Sequence, residues 1–524
     1  MYRGLIVVVM VATLLGGQAP GARAEVARVQ SSATGRMVVS QADSCSDPLN
    51  EGRRPELGAT LAFEEREVGP PGTLGRPYLC VISYPREEVF HVVFQNIDRP
   101  EQFRAAKAET IGKLQARGID LCRVTMWSFW GVPNQAGYSD DDFYSLPVPC
   151  PVRVVTGDAD APAYVPTVQQ AIQQGLEATV AEYGWHPTRP ITIVLVTNED
   201  SAAELYARYR REPETVEDAA RVGREGGARI FATLDPGVPY GNISLLNISD
   251  PSERTTANID QQAQYTLAYF AISDTVGIDT SATGNPNNIP TWMRDGLIYR
   301  YSYRHALNGA SGGFMVEAAR AVSDGQFPLL TDMVTQSGRV AVVKRLDAFA
   351  VGAREYAAVA YLYDRYGEDT MKQFLQASHN RTKGDVQAIL TQILGHEVDA
   401  LDGRLNAWLL ERPRILAASA DGRIKIDLRL FQDGQHGEAL VEEAATTCFF
   451  NVERGATDTG QPGLVGFSVT LGPDGTFTAV RPSTYVGNSV TLSGRLVNGQ
   501  LSGSYRVVNE VTACDSGPTL FGAS

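Results

Sequence analysis

Between Thr266 and Arg304 an apolar helical stretch, a polar loop rich in Asn, Pro and Gly, and a second helical stretch opening on Pro290-Thr291-Trp292 follow one another. The reactive groups of the first stretch are Tyr269 and Ser273, which a helix sets on one face at i and i+4, with Phe270 beside them. The second offers Asp295 next to Arg294, then Tyr299, Tyr301 and Tyr303 interleaved with Arg300 and Arg304. Aromatic rings stack on apolar faces and guanidinium groups take carboxylates. Trp292, Tyr299, Tyr303 and Arg304 are therefore candidates for a binding rim, although at helical spacing these side chains diverge and some belong to the core. Gly309-Ala310-Ser311-Gly312-Gly313 has the letters of a nucleophile elbow, with His305 upstream of Ser311. An elbow needs a buried strand before it and a helix after it, whereas Trp292 to Leu307 is helical and aromatic, so a loop is expected there. His396-Glu397 has Ala400 where the second histidine of a metal-binding helix would stand, and Gly395 before it marks a helix end. The acidic run Asp140-Asp141-Asp142 has no EF-hand spacing.

The frame Tyr269-Phe270-x-x-Ser273, polar loop, Trp292-Met293-Arg294-Asp295-Gly296-Leu297 resembles the core of the gluzincin metallopeptidases, in particular the bacterial peptidase MA-like domains. Further on, EYAAVAYLYDRYGEDTMKQFL and ILGHEVDALDGRLNAWL resemble the closing helices of that domain, so the resemblance runs from about Ala161 to Glu411. It implies a lead helix, a small sheet whose edge strand flanks a cleft, and two helices on which His-Glu-x-x-His and a following Glu hold zinc. Tyr269, Phe270, Ser273 and Asp295 stand at those positions here. A phenol with an ordinary pKa of about 10 binds zinc well only as phenolate. Phe270 takes no proton, and a serine hydroxyl is a poor ligand. Asp295 alone retains ligand chemistry. The expectation is a degenerate site with no catalytic residue, no metal and no cofactor.

The elements around this pair fall into an α+β multidomain order. Pro77–Tyr84 and Glu88–Gln95 read as strands, Pro100–Arg117 as a helix and Asp120–Trp130 as a further strand, a small disulfide-bonded α+β domain over residues 25–150. Trp127, Phe129 and Trp130 are expected in its core or an interface. A peptidase MA-like, mainly helical domain with a small sheet is expected over 155–412. Its lead helix is Pro162–Tyr183 and its β-branched strand Pro190–Thr197. Arg412–Gly422 reads as a linker. Beyond it the apolar period becomes two at Ile424, Ile426, Leu428 and Leu430, and Asp474-Gly475 and Asn498-Gly499 are hairpin signals, so 422–524 reads as an antiparallel β sandwich or barrel.

Residues 1–24 read as a signal peptide: Arg3, an apolar run from Leu5 to Leu15, and Ala22-Arg23-Ala24 as a cleavage site. No later run is apolar for long enough to span a bilayer, so a secreted protein with no membrane span is expected. All six cysteines, Cys45, Cys80, Cys122, Cys150, Cys448 and Cys514, lie beyond the signal. An even number in an exported chain reads as disulfides, with Cys448–Cys514 paired locally and three connectivities open for the other four. A net charge of −14 disfavours nucleic acid. These readings together point to an exported, non-catalytic protein whose degenerate cleft takes a polypeptide or a cell-surface polymer. An active secreted hydrolase, using zinc through Asp295 and unexpected ligands or Ser311 with His305, and a passive envelope scaffold are the alternatives.

Overall fold

A computed structural model describes Cys45 and most of residues 59–523. Residues 1–44, 46–58, 131–136, 210–226, 232–242, 278–287, 306–312, 396–399, 444–448, 483–487, 510–513 and a few shorter stretches lie outside the described residues. The signal-peptide reading, the Ser311 motif and His396-Glu397 therefore fall outside them, as does Cys448 and with it the expected Cys448–Cys514 pair.

The N-terminal part is a four-stranded sheet in the order β1 (Thr60–Glu65), β2 (Tyr78–Tyr84), β3 (Val89–Gln95), β4 (Val124–Trp130). The last pair is parallel, and the crossover helix α1 (Pro100–Ala116) connects them, because parallel neighbours cannot be joined by a tight turn. Trp127 is fully buried and Phe129 packs beside it in one apolar cluster, so both are core. Disulfides join Cys45 to Cys80 and Cys122 to Cys150, which settles the pairing of these four. The short helix α2 (Asp140–Phe143) carries Asp142, whose carboxylate takes the Arg104 guanidinium at 2.7 and 2.9 Å.

A second four-stranded sheet has the order β5 (Arg153–Thr156), β6 (Thr192–Val196), β8 (Ile243–Asn247), β7 (Gly227–Phe231). The first three are parallel, and β7 runs antiparallel at the edge. The lead helix α3 (Val165–Tyr183) buries Val168, Ala171 and Ile172 on one side of this sheet and ends on Gly184 at φ 67°. On the other side, Val194, Val196 and Leu245 share a core with Tyr78, Cys80 and Ile82 of β2 and with α4 (Glu199–Tyr209). The two sheets are thus fused through buried side chains.

The helical bulk follows: α5 (Thr256–Val276), α6 (Thr291–His305), α7 (Phe314–Ser323), α8 (Gln336–Arg345), α9 (Ala348–Tyr366), α10 (Glu368–Ala377), α11 (Lys383–Leu394) and α12 (Leu401–Glu411). None of the described helices is long and apolar enough to cross a membrane. At its centre α9 is buried on nearly every side, so its adjacent ionic residues Arg354 and Glu355 both need partners; Arg354 finds Asp402 and Asn406, each at 2.6 Å.

The C-terminal part is a nearly closed antiparallel barrel: β14 (Gly463–Thr470), β11 (His436–Glu443), β10 (Ile424–Leu430), β9 (Arg414–Ser419), β19 (Thr519–Ala523), β17 (Gln500–Asn509), β16 (Asn488–Val497) and β15 (Thr476–Pro482), with β18 (Cys514–Asp515) on β17 and a separate ribbon of β12 (Phe449–Asn451) and β13 (Ala456–Asp458). Strand β9 occupies the stretch read as a linker. Its small, polar-looking text hides an alternation in which Ile415 and Ala417 face the core. The interior is filled by side chains such as Leu428, Phe467 and Tyr505. Asn498 and Gly499, both at positive φ, form the two-residue turn between Val497 and its partner Gln500.

Candidate functional site

The two organising helices pack against each other, and the side chains expected at the metal positions have other employment. Phe270 is 1% exposed and sits in the central core, with the Tyr269 ring edge-on at 5.8 Å. The Ser273 carbonyl accepts from Gly277 N at 2.9 Å as the helix closes, and its side chain is half-buried. Burial pushes the Tyr269 phenol above its usual range. Arg294, 6.0 Å from the ring centre, pulls it down and Asp295 pushes it up. Tyr269 therefore stays neutral, which removes the phenolate that a metal would require.

Asp295 is held by two guanidinium groups. Arg294 donates from Nε to Oδ1 at 2.7 Å, and Arg339 Nε lies 3.0 Å from Oδ2. Arg339 also grips Glu355 through both its Nε and its Nη2, the latter at 2.8 Å. The result is a quartet of two cations and two anions, from α6, α8 and α9, with Arg339 and Glu355 at 1% and 0% exposure. Burial opposes the charge on each arginine, and the neighbouring carboxylates outweigh it, so both stay above the ordinary arginine range. Burial also raises Glu355, to about 7, against the pull of Arg339 and with a further push from Asp295. Arginine is protonated under any of these conditions, so a proton taken up by the quartet goes to a carboxylate.

Glycine makes this assembly geometrically possible. A Cβ on Gly296 would meet the Glu355 carbonyl oxygen at 2.3 Å and Val359 Cγ2 at 2.7 Å. Only a residue without a side chain lets α6 approach α9 closely enough for Asp295 and Glu355 to share Arg339. Thr335 caps α8 by accepting from Gly338 N at 3.2 Å, and the Gly338 site is equally tight, with the Asp332 carbonyl oxygen 2.3 Å from a built Cβ. These contacts fix the helix that carries Arg339.

The aromatic residues of α6 point inward. Trp292, Tyr299, Tyr301 and Tyr303 are all buried; Tyr299 and Tyr303 lie against the Phe314 ring at 5.6 and 5.1 Å, and Tyr301 donates to the Gly175 carbonyl at 2.7 Å. Of the expected rim, Arg304 alone is exposed, and it pairs with Glu368. The reason is that α6 is covered by α3, α5, α7 and α9, so there is no solvent face for an aromatic row. His305 is engaged by Glu182 at 2.8 Å, and Arg300 holds the other oxygen of the same carboxylate at 2.9 Å. Among the described residues no group of three His, Cys, Asp or Glu side chains converges as a ligand set.

Arg339 and Glu355 were not reached from the sequence. The available signal was Glu355 inside the apolar run EYAAVAYLY, where an acid buried on a helix must find a cation. The helix supplying that cation, QSGRVAVVKR, has too little apolar period to announce itself.

Comparison with family models, with curated proteins and with solved structures finds no match to this chain.

Proposed function

We propose that the chain is an exported, non-catalytic, peptidase-like protein whose cleft along α5 and β7 holds an extended polypeptide or a segment of cell-surface polymer. The observation that carries this reading is the commitment of Asp295 to Arg294 and Arg339. A metal at Asp295 would have to displace Arg339 Nε and leave a buried guanidinium with one carboxylate fewer, a loss of several kcal/mol by order of magnitude. Strand β7 supports the binding half of the proposal. It ends its sheet antiparallel to β8, lies along α5, and among the described residues nothing pairs with its outer edge. Such an edge adds a strand through backbone hydrogen bonds and needs no metal. The two disulfides fit an oxidising compartment and so support export.

The test joins two measurements on the purified mature chain. Zinc per chain after exhaustive dialysis is expected near zero, and a value near one that falls in Asp295→Ala would establish the rival metallopeptidase. Binding of fluorescent extended peptides is expected to be lost in one of Ala228→Pro and Arg229→Pro, since alternate residues of an edge strand present their N–H outward. Equal binding by both variants and the parent chain would remove β7 from the reading.

A further inference from the structure

A cleft lies away from the quartet, where the start of α6, the turn before α8 and the first turns of α11 meet. Its walls are apolar, formed by Ile289, Leu330, Val386 and Leu390 among others, around a cavity of about 90 Å³ that opens to solvent. Asn288 fixes its floor by donating to the Val276 carbonyl at 2.7 Å and the Ser378 carbonyl at 2.5 Å, which ties the ends of α5 and α10 to the start of α6.

Among the described residues Lys383 is the only charged one in the lining. Lys383 is a half-buried residue with no ion pair or hydrogen bond to another described residue, and it stands at the first position of α11, where the helix dipole already makes the potential positive. Of the described acids nearby, Asp385 accepts from Thr382 at 2.9 Å, and Asp332 lies 3.5 Å from Arg345. A cation placed at a helix N-terminus, at the mouth of an apolar cleft, is complementary to one anionic group at the end of an apolar body.

From this complementarity we propose that the cleft binds a small amphiphilic carboxylate, its apolar chain against Val386, Leu390, Leu330 and Ile289 and its carboxylate on Lys383. Each buried methylene contributes about 0.8 kcal/mol, so chain length sets affinity and the ammonium sets the requirement for a charge. The proposal is independent of what the edge of β7 holds.

The experiment is calorimetric titration of the whole mature chain with decanoate below its micelle concentration, alongside decan-1-ol and an apolar peptide with a free C-terminus. One saturable site with a Kd on the order of 10 µM is expected for decanoate. Lys383→Gln should weaken it about tenfold, the effect of one charge-assisted contact. Gln387→Trp, an exposed position on the cleft wall, should abolish it by filling the mouth. Both substitutions are near the surface, and an unchanged unfolding midpoint shows that the fold persists. Absence of decanoate binding, equal affinity for decan-1-ol with no effect of Lys383→Gln, binding unchanged by Gln387→Trp, or binding of the peptide alone would each overturn the proposal.

Discussion

Arg339 Nε lies 3.0 Å from Asp295 Oδ2 while the same guanidinium grips both oxygens of Glu355, so one arginine on α8 bridges the helix of the candidate site to the buried helix α9. Removing one member of such a group leaves a buried charge uncompensated, whereas replacing the opposing pair with apolar side chains of similar size does not. Arg339→Met is therefore expected to cost about 3–5 kcal/mol. The double variant Arg339→Met, Glu355→Leu should recover most of that, because Asp295 keeps Arg294. Urea unfolding of the three proteins checks this. A double variant as unstable as the single one would mean that the arginine acts mainly by filling space.

Glu355 also gives the fold a pH dependence of definite sign. Its carboxyl is raised by burial from an ordinary 4.5 to about 7. The folded state thus binds the proton more tightly than the unfolded chain does. The stability this confers is complete below about pH 4.5 and is lost as pH rises through 7, a change on the order of 3 kcal/mol. Glu355→Gln, fixed in the neutral form, should flatten that part of the stability curve. The check is the urea midpoint between pH 4.5 and 8 for both proteins. Parallel curves would place the titrating group elsewhere.

Much of this arrangement was legible in the text of the chain, and the exceptions share a cause. The period-two alternation from Ile424 to Leu430 and the Asn498-Gly499 turn are local signals, and both appear as β10 and the β16–β17 turn. Pro100–Arg117 and Pro162–Tyr183 likewise read as helices because their apolar spacing is local, and they appear as α1 and α3. The quartet is not local. Asp295 was visible as a residue able to ligate, yet its partner Arg339 is on a helix whose polar composition hides it, and the close approach of α6 to α9 rests on the Gly296 contact with Glu355. The Tyr299 and Tyr303 row failed as a rim for a similar reason, since a residue's type says nothing about which neighbour will cover it. Strand β9 was hidden by its small residues, which are wanted where a barrel wall is also packed from inside.

The barrel and the helical part are also joined by one buried acid. Glu438 on β11, 1% exposed, accepts from Met315 N in the first turn of α7 at 2.8 Å, and its charge adds to burial in raising the Tyr356 phenol of α9. The carboxylate thus neutralises the positive end of a helix that packs on the barrel. Gly313, just before α7, presses against Leu440 and Gly466 of the same wall, so the contact is apolar around a charged centre. Glu438→Ala strands a buried N–H and opens a cavity, for an expected cost of about 2–4 kcal/mol. Because the loss falls on the junction, it should separate the unfolding of the two parts. In calorimetry the parent chain is expected to show the barrel melting together with the helical part, and the variant a lower, resolved barrel or helical transition. If the parent already melts in separate steps and the variant shifts neither, Glu438 stabilises only its own strand and the two parts fold independently.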